Sequence, residues 1–243
     1  MRSSGAWALR GALLWPVAAP LAAAGLSFTP TATSDYDYRG VTQTANGPAL
    51  QLAFDYNAPH AHLQCWTSNV TYDTRARFYG ASHTEVAWTA DIPWGREEGW
   101  SADLGVSDAT YPGLKPYSDY AEGYATLAHG DYSLSYHYAW DYDHLPLHRG
   151  AYYLETNASW PIGHAGLELI AHLGQSGGPY WREANGRAYQ DFAVGAVQRI
   201  GRIDLTLRYV GTRDYVAIPH GRPLSGSGRL VLSVTTTLRT KRS

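Results

Sequence analysis

From residue 26 onward the chain alternates apolar and polar side chains in about a dozen runs of roughly 9–11 residues, the length a tilted strand needs to cross a bilayer. Leu50, Leu52, Phe54 and Tyr56 alternate with Gln51, Ala53, Asp55 and Asn57. Ile203, Leu205, Leu207 and Tyr209 alternate with Arg202, Asp204, Thr206 and Arg208. Neighbouring residues of a strand point to opposite faces, so each run has one apolar face and one face that carries charge. A soluble sandwich has the same period, and a single run decides nothing. The charged face recurring at spanning length behind an export signal favours an all-β fold: a closed antiparallel up-and-down transmembrane β-barrel of about 12 strands.

The export signal is expected over residues 1–24. Arg2 and Arg10 supply a positive start, Gly11 to Ala23 an apolar stretch, and Ala22-Ala23-Ala24 a small-residue cleavage site. Pro16 and Pro20 interrupt that stretch, which is shorter than the roughly 20 residues of a spanning helix. Residues 25–243 then read as one barrel domain. The net charge of −2 offers no basic surface of the kind nucleic acid needs, and the leader's two arginines take no acid with them. Among the aromatics, 19 Tyr and 9 Trp outnumber 4 Phe, a bias that suits the interfacial girdles of membrane barrels and equally a sugar-binding surface. Cys65 is the single cysteine, so no intramolecular disulfide or cysteine-based zinc site is expected. Its neighbours Leu63 and Thr67 place it on the lipid face.

Twelve strands are predicted, near Leu26–Val41, Ala49–Asn57, His62–Val70, Gly80–Ile92, Gly99–Thr110, Ser118–Ala128, Asp131–Asp141, Ala151–Trp160, Ala165–Gly174, Ala188–Ile200, Arg202–Thr212 and Gly228–Leu238. Short and long connections alternate between them, as tight turns on one rim and long loops on the other would require. The inward face is predicted to carry Arg39, Asp55, Glu85, Asp103, Glu122, Glu155, Glu168, Asp191, Asp204, Arg208 and Arg229 as lumen-lining residues, with His83, His137 and His172 beside them. Trp88, Trp100, Tyr132, Trp140, Tyr152, Trp160 and Tyr209 are predicted to face lipid, where rings with a polar tip anchor strand ends.

Ser34-Asp35-Tyr36-Asp37-Tyr38-Arg39-Gly40-Val41-Thr42-Gln43, followed by Pro48-Ala49-Leu50-Gln51, resembles the opening signature of a proteobacterial outer-membrane family known as conserved hypothetical proteins and as porins of Tor type. Further similarities are Ser68-Asn69-Val70, Tyr111-Pro112-Gly113, Ser118-Asp119-Tyr120 with Glu122, and Tyr152-Tyr153-Leu154-Glu155 leading to Asn157-Ala158-Ser159. The resemblance spans residues 26 to 238 and implies an outer-membrane barrel with a transport role, without catalytic residues to carry over. The chain departs from such barrels at its end, where Leu238 is followed by Arg239-Thr240-Lys241-Arg242-Ser243 in place of a terminal aromatic. The Ser34–Gln43 motif is expected to form the upper end of the first strand. Tyr36 and Tyr38 would point outward, and Arg39 would be paired with Asp35 and Asp37 at the lumen wall, since a buried arginine needs a partner.

Catalytic patterns are weak. Ser82, His83 and Glu85 contain hydrolase ingredients, but adjacent strand residues face opposite ways, which leaves only His83 and Glu85 on one side. Ser176-Gly177-Gly178 and Gly226-Ser227-Gly228 are not followed by a helix pattern and read as loop glycines rather than phosphate cradles. Asp141, Asp143, His144 and His148 share one loop and read as a solvated surface. The expectation is therefore a channel, not an enzyme and without cofactor or metal, passing small hydrophilic solutes or ions through a slightly acidic lumen. Its partners are outer-membrane lipid, those solutes, and the barrel-assembly machinery during biogenesis. The alternative is a non-conducting surface barrel, an adhesin or ligand-binding protein acting through outer loops that carry Tyr180, Trp181 and Tyr215.

Overall fold

The computed structural model describes residues 25–73, 81–95, 99–114, 119–140, 149–216 and 224–240; the expected leader over 1–24 and the loop acids and histidines over 141–148 lie outside them. Twelve of the strands form one closed wall: β1 (Gly25–Thr33), β4 (Ala49–Ala58), β5 (Ala61–Asp73), β6 (Ala81–Gly95), β7 (Trp100–Thr110), β8 (Tyr120–His129), β9 (Tyr132–Ala139), β10 (Ala151–Ile162), β11 (Leu167–Gly177), β12 (Tyr189–Ile200), β13 (Ile203–Arg213) and β14 (Arg229–Thr236). Each pairs antiparallel with the next in sequence. The first and last close the ring through Thr31↔Thr235 and Thr33↔Ser233, and β15 (Leu238–Arg239) extends that seam at Phe28↔Leu238. Closure leaves no unpaired sheet edge, the condition for backbone to lie in lipid. β2 (Asp37–Tyr38) and β3 (Val41–Thr42) pair only with each other, and the helix α1 (Pro179–Ala184) follows β11.

The two-residue alternation decides which face goes where. Along β4 the odd-numbered Ala49, Gln51, Ala53 and Asp55 are buried, while Leu50, Phe54 and Tyr56 are exposed. The outer surface is a continuous apolar band that includes Leu104, Val106, Leu134, Leu173, Val194, Leu205, Leu207 and Leu232, all exposed. A band of that extent would be ruinous in water and is what hydrocarbon requires. Trp88, Trp100, Tyr132, Trp140, Trp160 and Tyr209 stand on it as expected, and the half-buried Cys65 pairs between the outward Phe54 and Trp88. On the short-turn rim, Gly130 and Gly201 take positive φ of 56° and 63° in two-residue hairpins, a conformation that costs any L side chain more.

The first strand departs from expectation. It ends at Thr33 rather than near Val41, and the next ten residues turn into the barrel as the β2–β3 hairpin. Asp35 draws the chain inward: its Oδ1 accepts from Thr42 Oγ1 at 2.5 Å and Thr44 Oγ1 at 2.9 Å, and its Oδ2 from Arg229 Nε at 2.5 Å. At the tip, Arg39 and Gly40 both take positive φ (49° and 79°), making the reversal. Tyr36, predicted to face lipid, is instead 3% exposed inside the barrel, its ring edge-on to Trp66 of β5 with centroids 5.3 Å apart. Tyr38 also turns inward, and Tyr120 of β8 donates its hydroxyl hydrogen bond to it at 2.8 Å.

Candidate functional site in the barrel lumen

The inward hairpin crosses the lumen and is fixed at both ends by charge. From β14, Arg229 donates to Asp35 and to Asp37 Oδ1 near the base, each at 2.5 Å, and to the Gly40 carbonyl of the tip at 3.1 Å. At its tip, Arg39 reaches β8 and donates both arms of its guanidinium to Glu122, at 2.9 Å to Oε1 and 2.7 Å to Oε2. The expected pairing of Arg39 with Asp35 and Asp37 is therefore corrected. Those acids belong to Arg229, because the tight turn at Arg39-Gly40 throws the Arg39 side chain to the opposite wall. The guanidinium carbon also lies 4.2 Å from the ring centre of Tyr153 and 4.8 Å from that of Tyr38, in cation–π range. Gly40 sits against β12 and β13, where a Cβ would lie 2.5 Å from Thr212 Cγ2 and 2.6 Å from Asp191 Cβ.

Behind Glu122 a chain of buried polar groups continues around the wall. His137 lies 3.6 Å from Glu122 Oε2 and 3.3 Å from Glu155 Oε1. His172 lies 3.6 Å from Glu155 Oε2 and 2.7 Å from Asp191 Oδ1, and Tyr153 donates to that same Asp191 oxygen at 3.0 Å. Nearer the short-turn rim a second cluster joins His62 to Asp91 at 2.7 Å and to Asp55 at 3.1 Å, with Tyr124 donating to Asp91 at 3.0 Å. Each interior carboxylate in these chains has hydrogen-bond donors or cations around it, the arrangement that makes burial of charge tolerable.

Of the sequence-predicted residues, Asp55, Glu85, Asp103, Glu122, Glu155, Glu168, Asp191 and Arg208 are buried on the inner face, and Arg39 is buried on the hairpin. Arg229 and Asp204 face the same side but are half-buried, with Asp204 accepting from Arg199 Nε at 2.9 Å. His137 and His172 lie inside as expected, whereas His83 is exposed. The register between β5 and β6 shifts between Asn69 and Tyr72, and β6 breaks its alternation there: His83 and Thr84 are both exposed, so Ser82, not His83, shares the inner face with Glu85. Ser82 donates its hydroxyl to the carbonyls of Thr84 and Pro112, both at 2.7 Å. Sequence reasoning missed His62 and Asp91, and it gave the hairpin acids Asp35 and Asp37 the wrong partner. Asp91 sits beyond the last clear alternation of its strand, and His62 opens a strand directly after a turn.

On the long-loop rim, Ser176-Gly177-Gly178 is followed by α1 after all, a six-residue helix whose Trp181 is buried. Trp181, Tyr189 and Val41 of the hairpin form one buried cluster, with Tyr180 and Tyr215 packed against it. The Trp181 and Tyr189 rings meet edge-on at 4.7 Å and the Tyr189 and Tyr215 rings at 5.1 Å. These rings pack the loops against the hairpin.

Among solved structures, the chain resembles the NanC porin with a TM-score of 0.58 at 9% identity, over 89% of this chain and 100% of that one. It resembles the KdgM porin at 0.55 and 11%, over 86% and 98%. An outer membrane channel from Pseudomonas putida F1 matches at 0.54 and 13%, over 90% and 96%. At such identities the likeness is one of fold, the closed barrel of outer-membrane porins. A search of curated proteins gives no match. A family model described as a bacterial protein of unknown function (Gcw_chp) matches residues 18–236, nearly the whole chain, and the chain belongs to that family.

Proposed function

We propose that this protein is an outer-membrane channel for small hydrophilic solutes, held closed at rest by the Ser34–Gln43 hairpin. The observation that carries the reading is how the lumen is filled. The Ser34–Gln43 segment, attached at one rim, turns into it, and charged contacts to Glu122 and Arg229 hold that segment. A barrel of twelve strands is wide enough to leave a narrow passage once such a segment moves. The polar inner face and the porin-type fold support the same reading. In this reading the chain reaches the outer membrane through a leader over residues 1–24 that is removed, assembles with the barrel-assembly machinery, and contacts lipid and solutes but no nucleic acid. The reading includes no catalytic step, and the Ser82–His83 pair supports that: Ser82 donates its hydroxyl to backbone carbonyls and His83 is exposed on the other side of the strand. The surface-adhesin alternative has less support, because Trp181 is buried beside Val41 of the hairpin and Tyr180 and Tyr215 are partly buried against that cluster.

Planar-bilayer recording tests the proposal. Replacing residues 34–48 by a short glycine turn joins Thr33 to Ala49, which already pair across β1 and β4. The shortened protein is expected to give steady discrete current steps where the wild type gives rare or small ones. A folded, inserted, hairpin-less barrel that passes no current would refute the channel.

A further inference from the structure

Arg39 occupies its pocket as a ligand occupies a receptor. The pocket belongs to the barrel wall: Glu122 from β8, His137 from β9, and Tyr153 and Glu155 from β10, every one of them over nine-tenths buried. The guanidinium belongs to a separate hairpin that reaches in from the rim. The contacts it makes select for a planar, delocalised cation. Glu122 takes both arms of the fork at 2.9 and 2.7 Å, and the Tyr153 ring lies 4.2 Å from the guanidinium carbon. An ammonium group cannot make the bidentate bond and stacks less well. With Arg39 withdrawn, three carboxylates, Glu122, Glu155 and Asp191, would face the two histidines His137 and His172, so the wall would attract a cation and repel an anion.

We propose that the Glu122–Tyr153–Glu155 pocket is the solute-binding site of the channel, that its solutes are small molecules bearing a guanidinium group, and that Arg39 is a tethered surrogate which such a solute displaces, freeing the hairpin. The proposal rests on the channel reading above and gives it a substrate class. A tethered ligand competes at an effective concentration in the millimolar range or above, so the closed state yields only to solute at comparable levels.

The test uses methylguanidinium and methylammonium chloride on the full-length protein and on R39A. In planar bilayers R39A is expected to conduct, and methylguanidinium should block its current at a concentration about tenfold lower than methylammonium does. In detergent, methylguanidinium should raise the melting temperature of R39A and leave R39A/E122Q unmoved. With the wild type, millimolar methylguanidinium should raise the open probability while methylammonium does not. This last arm needs no substitution and stands even where R39A inserts poorly. Equal response of R39A to the two cations, or a response that survives in R39A/E122Q, would overturn the site. The two readings fail separately. A melting shift in R39A without current in any variant would leave the site and remove the channel; current without discrimination would leave the channel and remove the site.

Discussion

Gly40 is the residue on which the closed state turns most narrowly. Its φ of 79° is unfavourable for any L side chain, and an added Cβ would overlap Thr212 and Asp191 on the wall of β12 and β13. Both neighbours belong to the hydrogen-bonded barrel, which is far stiffer than a hairpin attached at one rim, so the tip must give way rather than the wall. Gly40→Ala should therefore lift the tip, strain the Arg39–Glu122 fork and raise the open probability in bilayers. The barrel should still run as a folded species on an unheated gel. An unchanged current from folded G40A would mean that the tip does not sit against that wall. Arg39 follows a different logic. Removing it leaves the Glu122 carboxylate buried without its guanidinium, and losing one partner of a buried pair typically costs about 3–5 kcal/mol. Part of that cost is recovered wherever water follows the hairpin out.

At the scale of the strand, alternation controls cost. On β13, Leu205 is exposed on the outer band and Thr206 turns inward opposite Val197. An arginine at residue 205 faces hydrocarbon and should cost about 2–4 kcal/mol where the strand crosses the bilayer midplane. Thr206→Arg should cost less and act on ion flow instead. Reversible unfolding from lipid vesicles measures both, and equal costs would contradict the assignment of faces. The same alternation explains why the strands could be read from sequence. Lipid outside and polar groups inside impose period two on every spanning run, and most strand ends fall within a few residues of expectation. Two departures from expectation have identifiable causes. Asp35, Tyr36, Asp37, Tyr38 and Arg39 continue the period of β1 without a break, so an inward hairpin and a longer strand read alike. Only Gly40 and the hydroxyls of Thr42 and Thr44, which cap Asp35, distinguish them, and their meaning appears with the folded contacts. His83 faces outward because β6 breaks its own alternation at His83-Thr84, where the register with β5 shifts, and nothing local to His83 encodes that break. Which interior charges are present was legible from alternation. Which of them pair was not, since Arg39 and Glu122 are 83 residues apart and meet only because the barrel closes.

For the whole molecule, a sheet that closes on itself fixes the wall, so the remaining freedom lies in what fills it. The segments that carried the family resemblance prove to be the hairpin and its sockets. Tyr36, Tyr38 and Arg39 insert, and Tyr120, Glu122 and Tyr153 receive them. Among the described residues, the wall around that hairpin is mostly acidic from β4 to β11, with Arg199, Arg208 and Arg229 on β12 to β14 as buried or half-buried cations on the inner side. An open lumen of that composition should favour cations, since carboxylates fixed along a pore stabilise them. A reversal potential measured across a potassium chloride gradient in the hairpin-less protein should shift toward the cation, and a shift toward chloride would contradict the acidic wall. In the proposed channel a charge pair across the lumen holds the passage shut, and exchanging its two charges tests this directly. R39E places a carboxylate against Glu122 and should open the channel, and E122R should do the same from the wall. The double variant R39E/E122R restores an attractive pair and should return bilayer current to near the wild-type level. A double variant that conducts as freely as either single one would contradict the account.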